Sequence, residues 1–119
     1  IDFTARDVQS ELKSKGLPWE KAKAFDQSAV LGEFLPVADY DINHLHFQLK
    51  KNGEVVQDGN TSLMIHDIPH IIEHCSQYFT LKIGDLLFTG TPAGVGPVAP
   101  GDLLEGYIES KKVLNVKIR

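Results

Sequence analysis

Between Gly84 and Pro97 the chain reads Gly-Asp-Leu-Leu-Phe-Thr-Gly-Thr-Pro-Ala-Gly-Val-Gly-Pro, and no other stretch restricts the fold as tightly. Leu86, Leu87 and Phe88 form a short apolar run bounded by turn residues, the pattern of a fully buried strand. Thr89, Gly90 and Thr91 follow at once, then Pro92, Gly94, Gly96 and Pro97. The expected interior strand thus gives way to a loop whose backbone can approach a neighbour or a ligand closely. Bare amides and threonine hydroxyls placed together suit a carboxylate or a phosphate, and a tight connection between two strands accounts for the same composition. Nucleotide motifs fit badly. The loop lacks the lysine of the phosphate-binding Gly-x4-Gly-Lys-Ser/Thr pattern, and its glycines have the wrong spacing for Gly-x-Gly-x-x-Gly.

A chain of 119 residues that is 42% hydrophobic and 24% charged has the composition of one soluble globular domain. Its net charge of −4, with scattered basic residues, argues against a nucleic-acid partner. No run approaches the roughly 18 apolar residues of a membrane span, and no secretory-signal pattern is expected among these residues. The single cysteine, Cys75, can form no internal disulfide and points to a reducing compartment. The chain opens on Ile1-Asp2-Phe3 without a methionine and closes on Val116 to Arg119 still in strand alternation, so a fragment of a longer polypeptide is expected.

Taken in order, Ile1 to Phe3 is expected as a strand end, and Thr4 as the cap of a helix running to Gly16. Pro18 precedes a second short helix or turn over Trp19 to Phe25. Ala29 to Leu35 is apolar enough for a strand that Pro36 ends. His44 to Lys50 alternates, with Leu45, Phe47 and Leu49 on one face and His44, His46 and Gln48 on the other. Asn52-Gly53 closes a hairpin with Glu54 to Gln57. A helix follows from about Asp67 to Tyr78, with Ile68, Ile71, Ile72, Cys75 and Phe79 as its inward stripe. Two further strands are expected over Leu103 to Ile108 and Val113 to Ile118. Strands dominate and do not alternate regularly with helices, so the fold class is α+β, mainly β, with a mixed or antiparallel sheet.

His70-x-x-Glu73-His74 matches an inverted zinc-protease pattern, but both imidazoles fall on the polar side of the helix and no third ligand is marked. His44 and His46 are accounted for by the outward face of a half-buried strand. Asp39 and Asp41 are expected in a solvated loop, and Cys75 as a core thiol. Asp2 differs, because a carboxylate between Ile1 and Phe3 lies near apolar surface and requires compensation. An ion pair with Arg6 and a metal ion both satisfy that requirement. Lys23, set among alanines and Phe25, is suggestive in the same way, although a solvated helix face is the commoner place for such a lysine.

Four motifs occur in register: Asp2-x-Thr4-x-Arg6-Asp7-x-Gln9, Leu17-Pro18-Trp19 to Ala22-Lys23-Ala24-Phe25, Gly59-x-Thr61-x-x-Met64-Ile65, and Gly84-Asp85-x-x-x-Thr89-Gly90-Thr91-Pro92-x-Gly94-Val95-Gly96-Pro97. Together they resemble the fumarylacetoacetate hydrolase family, in particular its compact acylpyruvate hydrolases, oxaloacetate decarboxylases and oxaloacetate tautomerases. The resemblance implies mixed sheets rolled into a sandwich or barrel, a homodimer, and the C-terminal part of a single catalytic domain whose N-terminal part is absent. It also implies a cytoplasmic protein, or a mitochondrial one in a eukaryote. By position, Asp2 resembles the aspartate that ligates Mg²⁺ or Mn²⁺, while Lys23 and Gln9 resemble catalytic residues that contact substrate and developing charge. Thr91 resembles the threonine that holds the substrate carboxylate, and Gly90 lets it approach. Arg6 joins the substrate-binding set as support for Asp2.

A hard divalent cation chelates the carboxylate and 2-oxo oxygens of a 2-oxo acid and polarises its carbonyl. Hydrolysis of acylpyruvates, decarboxylation and keto–enol exchange of oxaloacetate all pass through an enolate, so one charge-stabilising site serves all three. The family's Glu-x-Glu metal pair and its His/Glu lid dyad are absent from this sequence, and these 119 residues are therefore expected to be inactive alone. The competing expectation is a non-catalytic module that keeps the fold and a carboxylate pocket.

Overall fold

The computed structural model describes residues 1–119, which divide into two compact units, Ile1–Leu31 and Gly32–Arg119.

In the first unit, Asp2 and Ala29 form an isolated antiparallel bridge, extended by hydrogen bonds from Phe3 N to Ser28 O (2.8 Å) and from Ala5 N to Ala22 O (3.0 Å). Helix α1 runs from Arg6 to Ser14 and helix α2 from Glu20 to Lys23. Gly16 takes φ +65° just beyond α1, the left-handed stop that a glycine makes easy. Thr4 is not the expected cap: Ala5 holds that position without a side-chain bond, and the Thr4 hydroxyl is engaged elsewhere. Ala22 is fully buried, which fixes the turn that carries its neighbour Lys23.

The second unit is built on a four-stranded sheet with spatial order β2-β1-β3-β4, where β1 is His46–Lys51, β2 Glu54–Asn60, β3 Leu103–Ile108 and β4 Lys111–Lys117. Every pairing is antiparallel, the alternative left open beside a mixed sheet. Asn52 and Gly53 take φ of +54° and +87°, as a tight hairpin turn requires. A register shift between Leu49 and Lys50 then pairs Leu49 with Gln57, Gln48 with Asp58 and Phe47 with Gly59. Cross-strand partners share a face, so Phe47, Leu49, Leu104, Gly106, Leu114 and Val116 line one side. Leu104 and Leu114 are its buried centre, and Gly59 leaves room for the Phe47 ring, whose Cζ a β-carbon there would meet at 2.7 Å.

The opposite face is polar and internally paired. His46 Nε2 lies 2.7 Å from Asp58 Oδ1, Gln48 donates to Asp58 Oδ2 at 2.7 Å, Lys112 pairs with Glu105 at 2.6 Å, and Lys50 lies 5.0 Å from the Tyr107 ring centroid. His44 pairs with Asp41 at 2.9 Å. Helix α3 spans Ile68–Ser76, capped by the Asp67 carboxylate, which accepts from His70 N. Ile68, Ile71 and Cys75 are half-buried along it, but Ile72 and Phe79 are exposed rather than inward. His70 stacks on His66 with centroids 4.9 Å apart, and His74 packs at 5.3 Å from Tyr78.

Two expected strands do not form. Of Ala29 to Leu35, Ala29 makes only the isolated bridge to Asp2, and Gly32 to Leu35 joins β4 by one backbone bond, Glu33 N to Val113 O. Leu86, Leu87 and Phe88 belong to no ladder and are 44%, 38% and 48% exposed, which corrects the expectation of a buried strand. Their apolar character matches burial, yet no strand of this chain pairs with them. No helix is long and apolar enough to cross a membrane.

Asp102 ties the β1–β2 turn to the start of β3, accepting from Asn52 Nδ2 at 2.8 Å and from Ala99 N at 2.9 Å. The Asn52 amide first, then the Ala99 N–H and the Lys51 charge, hold its carboxyl below the usual carboxylate range against a smaller opposing effect of burial. A carboxyl depressed in the folded state stabilises the fold above its unfolded value of about 3.9, and that contribution is lost as pH falls through the lower folded value. Asp102→Asn is therefore expected to flatten the acid side of the stability–pH curve, measured by thermal unfolding between neutral pH and about pH 2.

Candidate functional site

Asp2 and Thr4 are two residues apart on an extended segment, so their side chains leave the same face while Phe3 leaves the other. Lys23, presented by the short helix α2, reaches that face. Its Nζ donates to Asp2 Oδ2 at 2.6 Å and to Thr4 Oγ1 at 2.8 Å. The backbone bond from Ala5 to Ala22 holds the two segments at this separation. The ion pair is partly solvated, with side-chain exposures of 35% for Lys23 and 41% for Asp2, so its value lies in placement more than in stability. Asp2 is compensated by Lys23 and not by Arg6, whose Nη1 instead donates to Gln9 Oε1 at 2.6 Å across one turn of α1.

Asp2 Oδ1 receives no hydrogen bond within the chain, which leaves one hard oxygen donor free. That suits one ligand of Mg²⁺ or Mn²⁺, cations that take oxygen donors. No group of three or more His, Cys, Asp or Glu residues converges anywhere in the chain. The residues present therefore fit part of a divalent-metal site and not a complete one.

In the second unit, the glycine loop is docked along β2. Gly94 lies so close to that strand that a β-carbon on it would stand 2.0 Å from the Val56 carbonyl oxygen and 3.3 Å from Gln57 Cγ. Its φ of +97° adds a second reason for glycine. Gly90 takes φ +96° with open space around it, immediately before the exposed Thr91. Gln57 Nε2 donates to Thr91 Oγ1 at 2.7 Å and to Pro92 O at 3.2 Å. Sequence reasoning missed both Gln57 and the role of Thr4 beside Lys23. The Asp2-x-Thr4 spacing carries the signal for Thr4, since alternation places both on one face.

An open depression of about 550 Å³ lies elsewhere in the second unit, lined by Cys75, Tyr78, Phe79, Leu86, Leu87 and their neighbours with Asp85 as its charged residue. None of Asp2, Arg6, Gln9, Lys23, Gly90 or Thr91 lines it.

The profile of the fumarylacetoacetate hydrolase C-terminal family matches residues 1–119. The chain belongs to that family. It is 50% identical over 120 residues to the oxaloacetate tautomerase of Escherichia coli (strain K12), covering 96% of this chain and 55% of that protein. It is 46% identical to the mitochondrial oxaloacetate tautomerase of Mus musculus, covering 100% of this chain and 54% of the other. A crystal structure of fumarylpyruvate hydrolase from Pseudomonas aeruginosa, in complex with Mn²⁺ and pyruvate, is similar with a TM-score of 0.91 at 36% identity, covering 98% of this chain and 51% of that one. The chain spans about half the length of the curated relatives it matches.

Gly94→Ala is expected to destabilise the protein by at least about 1–2 kcal/mol from backbone conformation alone, and by more from the contact with the Val56 carbonyl. Unfolding in denaturant, with hydrogen exchange of the loop and β2 amides as the local reporter, checks both the size and the place of the loss.

Proposed function

We propose that the protein is a divalent-metal-dependent enzyme that acts on small 2-oxo acids through an enolate, with oxaloacetate keto–enol exchange as the foremost reaction. The observation that carries this reading is the Lys23 ammonium held between Asp2 and Thr4, in a chain about half identical to a named oxaloacetate tautomerase. The names of the relatives support a catalyst over a non-catalytic carboxylate-binding module. They are also consistent with a cytoplasmic location, or a mitochondrial one in a eukaryote. A homodimer is part of the same proposal.

Asp2 would contribute one oxygen to the metal, and further ligands would come from outside these 119 residues. When bound, the metal would polarise the 2-oxo group and so acidify the adjacent carbon. Keto–enol exchange takes a proton from C3, turns that C–H pair into the C2–C3 double bond, moves the carbonyl π pair onto oxygen, and delivers a proton to that oxygen. Lys23 is suited to offset the negative charge that develops on that oxygen, because its ammonium is already oriented by two acceptors. Gln9, steadied by Arg6, offers an amide to substrate oxygens. Thr91, with the exposed backbone at Gly90, is suited to bind a substrate carboxylate by its hydroxyl and neighbouring amides.

With the intact protein, oxaloacetate enolisation followed by ultraviolet absorbance is expected to require Mg²⁺ or Mn²⁺ and to cease in excess EDTA; undiminished turnover in EDTA would refute the metal role. Lys23→Ala should lower kcat by about 10²-fold or more while leaving metal affinity nearly intact. Asp2→Ala should weaken metal binding by roughly tenfold or more, by titration calorimetry, with turnover partly restored at high metal concentration. The residues are wrongly assigned if both variants turn over normally at limiting metal.

A further inference from the structure

Gln57 projects from the face of the sheet that carries Phe47 and Leu49, since it pairs directly with Leu49. A polar amide on an apolar face is costly unless its hydrogen bonds are made. Here those of the amide nitrogen are made, and they fix an orientation. The Pro92 carbonyl oxygen, 3.2 Å from Gln57 Nε2, can only accept, so the nitrogen of the amide and not its oxygen must face the loop. The same nitrogen lies 2.7 Å from Thr91 Oγ1. One of its hydrogens serves Pro92 and the other serves Thr91, which makes the hydroxyl an acceptor in this contact. The single hydroxyl hydrogen of Thr91 must then point away from Gln57, and no group of the chain receives it.

We propose that Gln57 is a positioning residue that commits Thr91 to donate its hydroxyl hydrogen outward, to the carboxylate of a 2-oxo acid. The proposal rests on the carboxylate-binding role given to Thr91 above. It goes further by assigning the polarity of that contact to a residue on another element. The loop cannot turn freely to choose another arrangement, because Gly94 is seated against Val56 one residue before Gln57. An alcohol with its acceptor side occupied favours an anion over a neutral hydrogen-bond donor, so the pair also selects for ionised substrates.

Two variants of similar volume separate positioning from simple anchoring. Gln57→Leu removes both donors and leaves the Thr91 hydroxyl free to rotate. Gln57→Glu presents an acceptor instead, which turns the hydroxyl inward and away from substrate. In the intact protein with Mg²⁺, the Glu variant should raise KM for oxaloacetate and the Kd for oxalate by about ten-fold, with kcat little changed, as expected for loss of uniform binding. The Leu variant should lose less. Because the Pro92 carbonyl beside it can only accept, protonation of the new carboxyl restores an O–H donor toward the loop, so the defect should shrink as pH is lowered from about 7 to 5. In a Thr91→Val background the Glu substitution should add nothing.

Equal losses in the Glu and Leu variants, with no pH dependence and in proportion to their lowered Tm, would overturn the proposal and reduce Gln57 to an anchor of the loop. Unchanged oxalate binding in the Glu variant would overturn it as well. Failure of the wild-type protein to bind oxalate or to turn over oxaloacetate would instead remove the functional reading, and the Gln57 assignment with it.

Discussion

One extra residue in strand β2 decides what the second unit presents. A two-residue Asn52-Gly53 turn with regular pairing beyond it would set Leu49 opposite Val56 and Gln48 opposite Gln57. The observed register pairs Leu49 with Gln57 and Gln48 with Asp58. Because side chains alternate along a strand, a shift of one residue moves each of them to the other face. Gln57 thereby reaches the apolar side, where it meets the glycine loop, and Asp58 reaches the polar side, where it meets His46 and Gln48. Gly59 comes to lie under the Phe47 ring, the place where a side chain would not fit. The contact with the glycine loop and the pairing of Asp58 on the polar face are thus consequences of this irregularity.

That irregularity explains which parts of the fold were legible in the sequence. The hairpin turn, the alternation of β1, helix α3 with its aspartate cap and the paired strands β3 and β4 follow from local chemistry, namely left-handed turn residues, period-two patterning and an apolar stripe. A bulge leaves no comparable signature. Val55, Val56 and Gln57 are ordinary in a strand, so the face on which Gln57 stands is fixed by tertiary pairing, and the strand runs on through Asp58 to Asn60, past the expected end at Gln57. The failure at Leu86 to Phe88 has the opposite origin. Those residues are as apolar as a buried strand requires, but a ladder needs a partner, and the β2 edge beside the loop is engaged by the close approach of Gly94 rather than by strand pairing.

The first unit shows the same division between residue identity and residue geometry. That Asp2 needs a compensating group follows from its apolar neighbours, and that Lys23 is unusual follows from its small and apolar ones. Their pairing does not follow, because Arg6 stands closer in sequence and has the greater reach along a helix start. Geometry settles the competition. Arg6 enters α1 and satisfies Gln9 one turn on, while the bridge between Asp2 and Ala29 and the bond from Ala5 to Ala22 bring Lys23 across from the other segment. Thr4 changes role for the same reason: on an extended segment it shares a face with Asp2 and completes the second acceptor for the ammonium.

Histidine placement supplies the last constraint on where chemistry can reside. The His-x-x-Glu-His pattern on α3 has the spacing of a metal site, yet His70 is stacked against His66 and His74 against Tyr78, and no third ligand converges on them. On β1, His46 is paired with Asp58, and His44, which lies in the turn before the strand rather than on its expected outward face, is paired with Asp41. The aspartate carboxyls are held below the usual range first by neighbouring amides, the Asn43 backbone for Asp41 and the Gln48 side chain for Asp58, and then by the histidines. Polar groups already matched to one another have little to gain from a ligand. Among the residues singled out by the sequence, Asp2 retains a free oxygen and Thr91 retains a hydroxyl hydrogen without a partner. The first can serve a cation and the second an anion, each in its own unit, where the polar groups around them are already matched to one another.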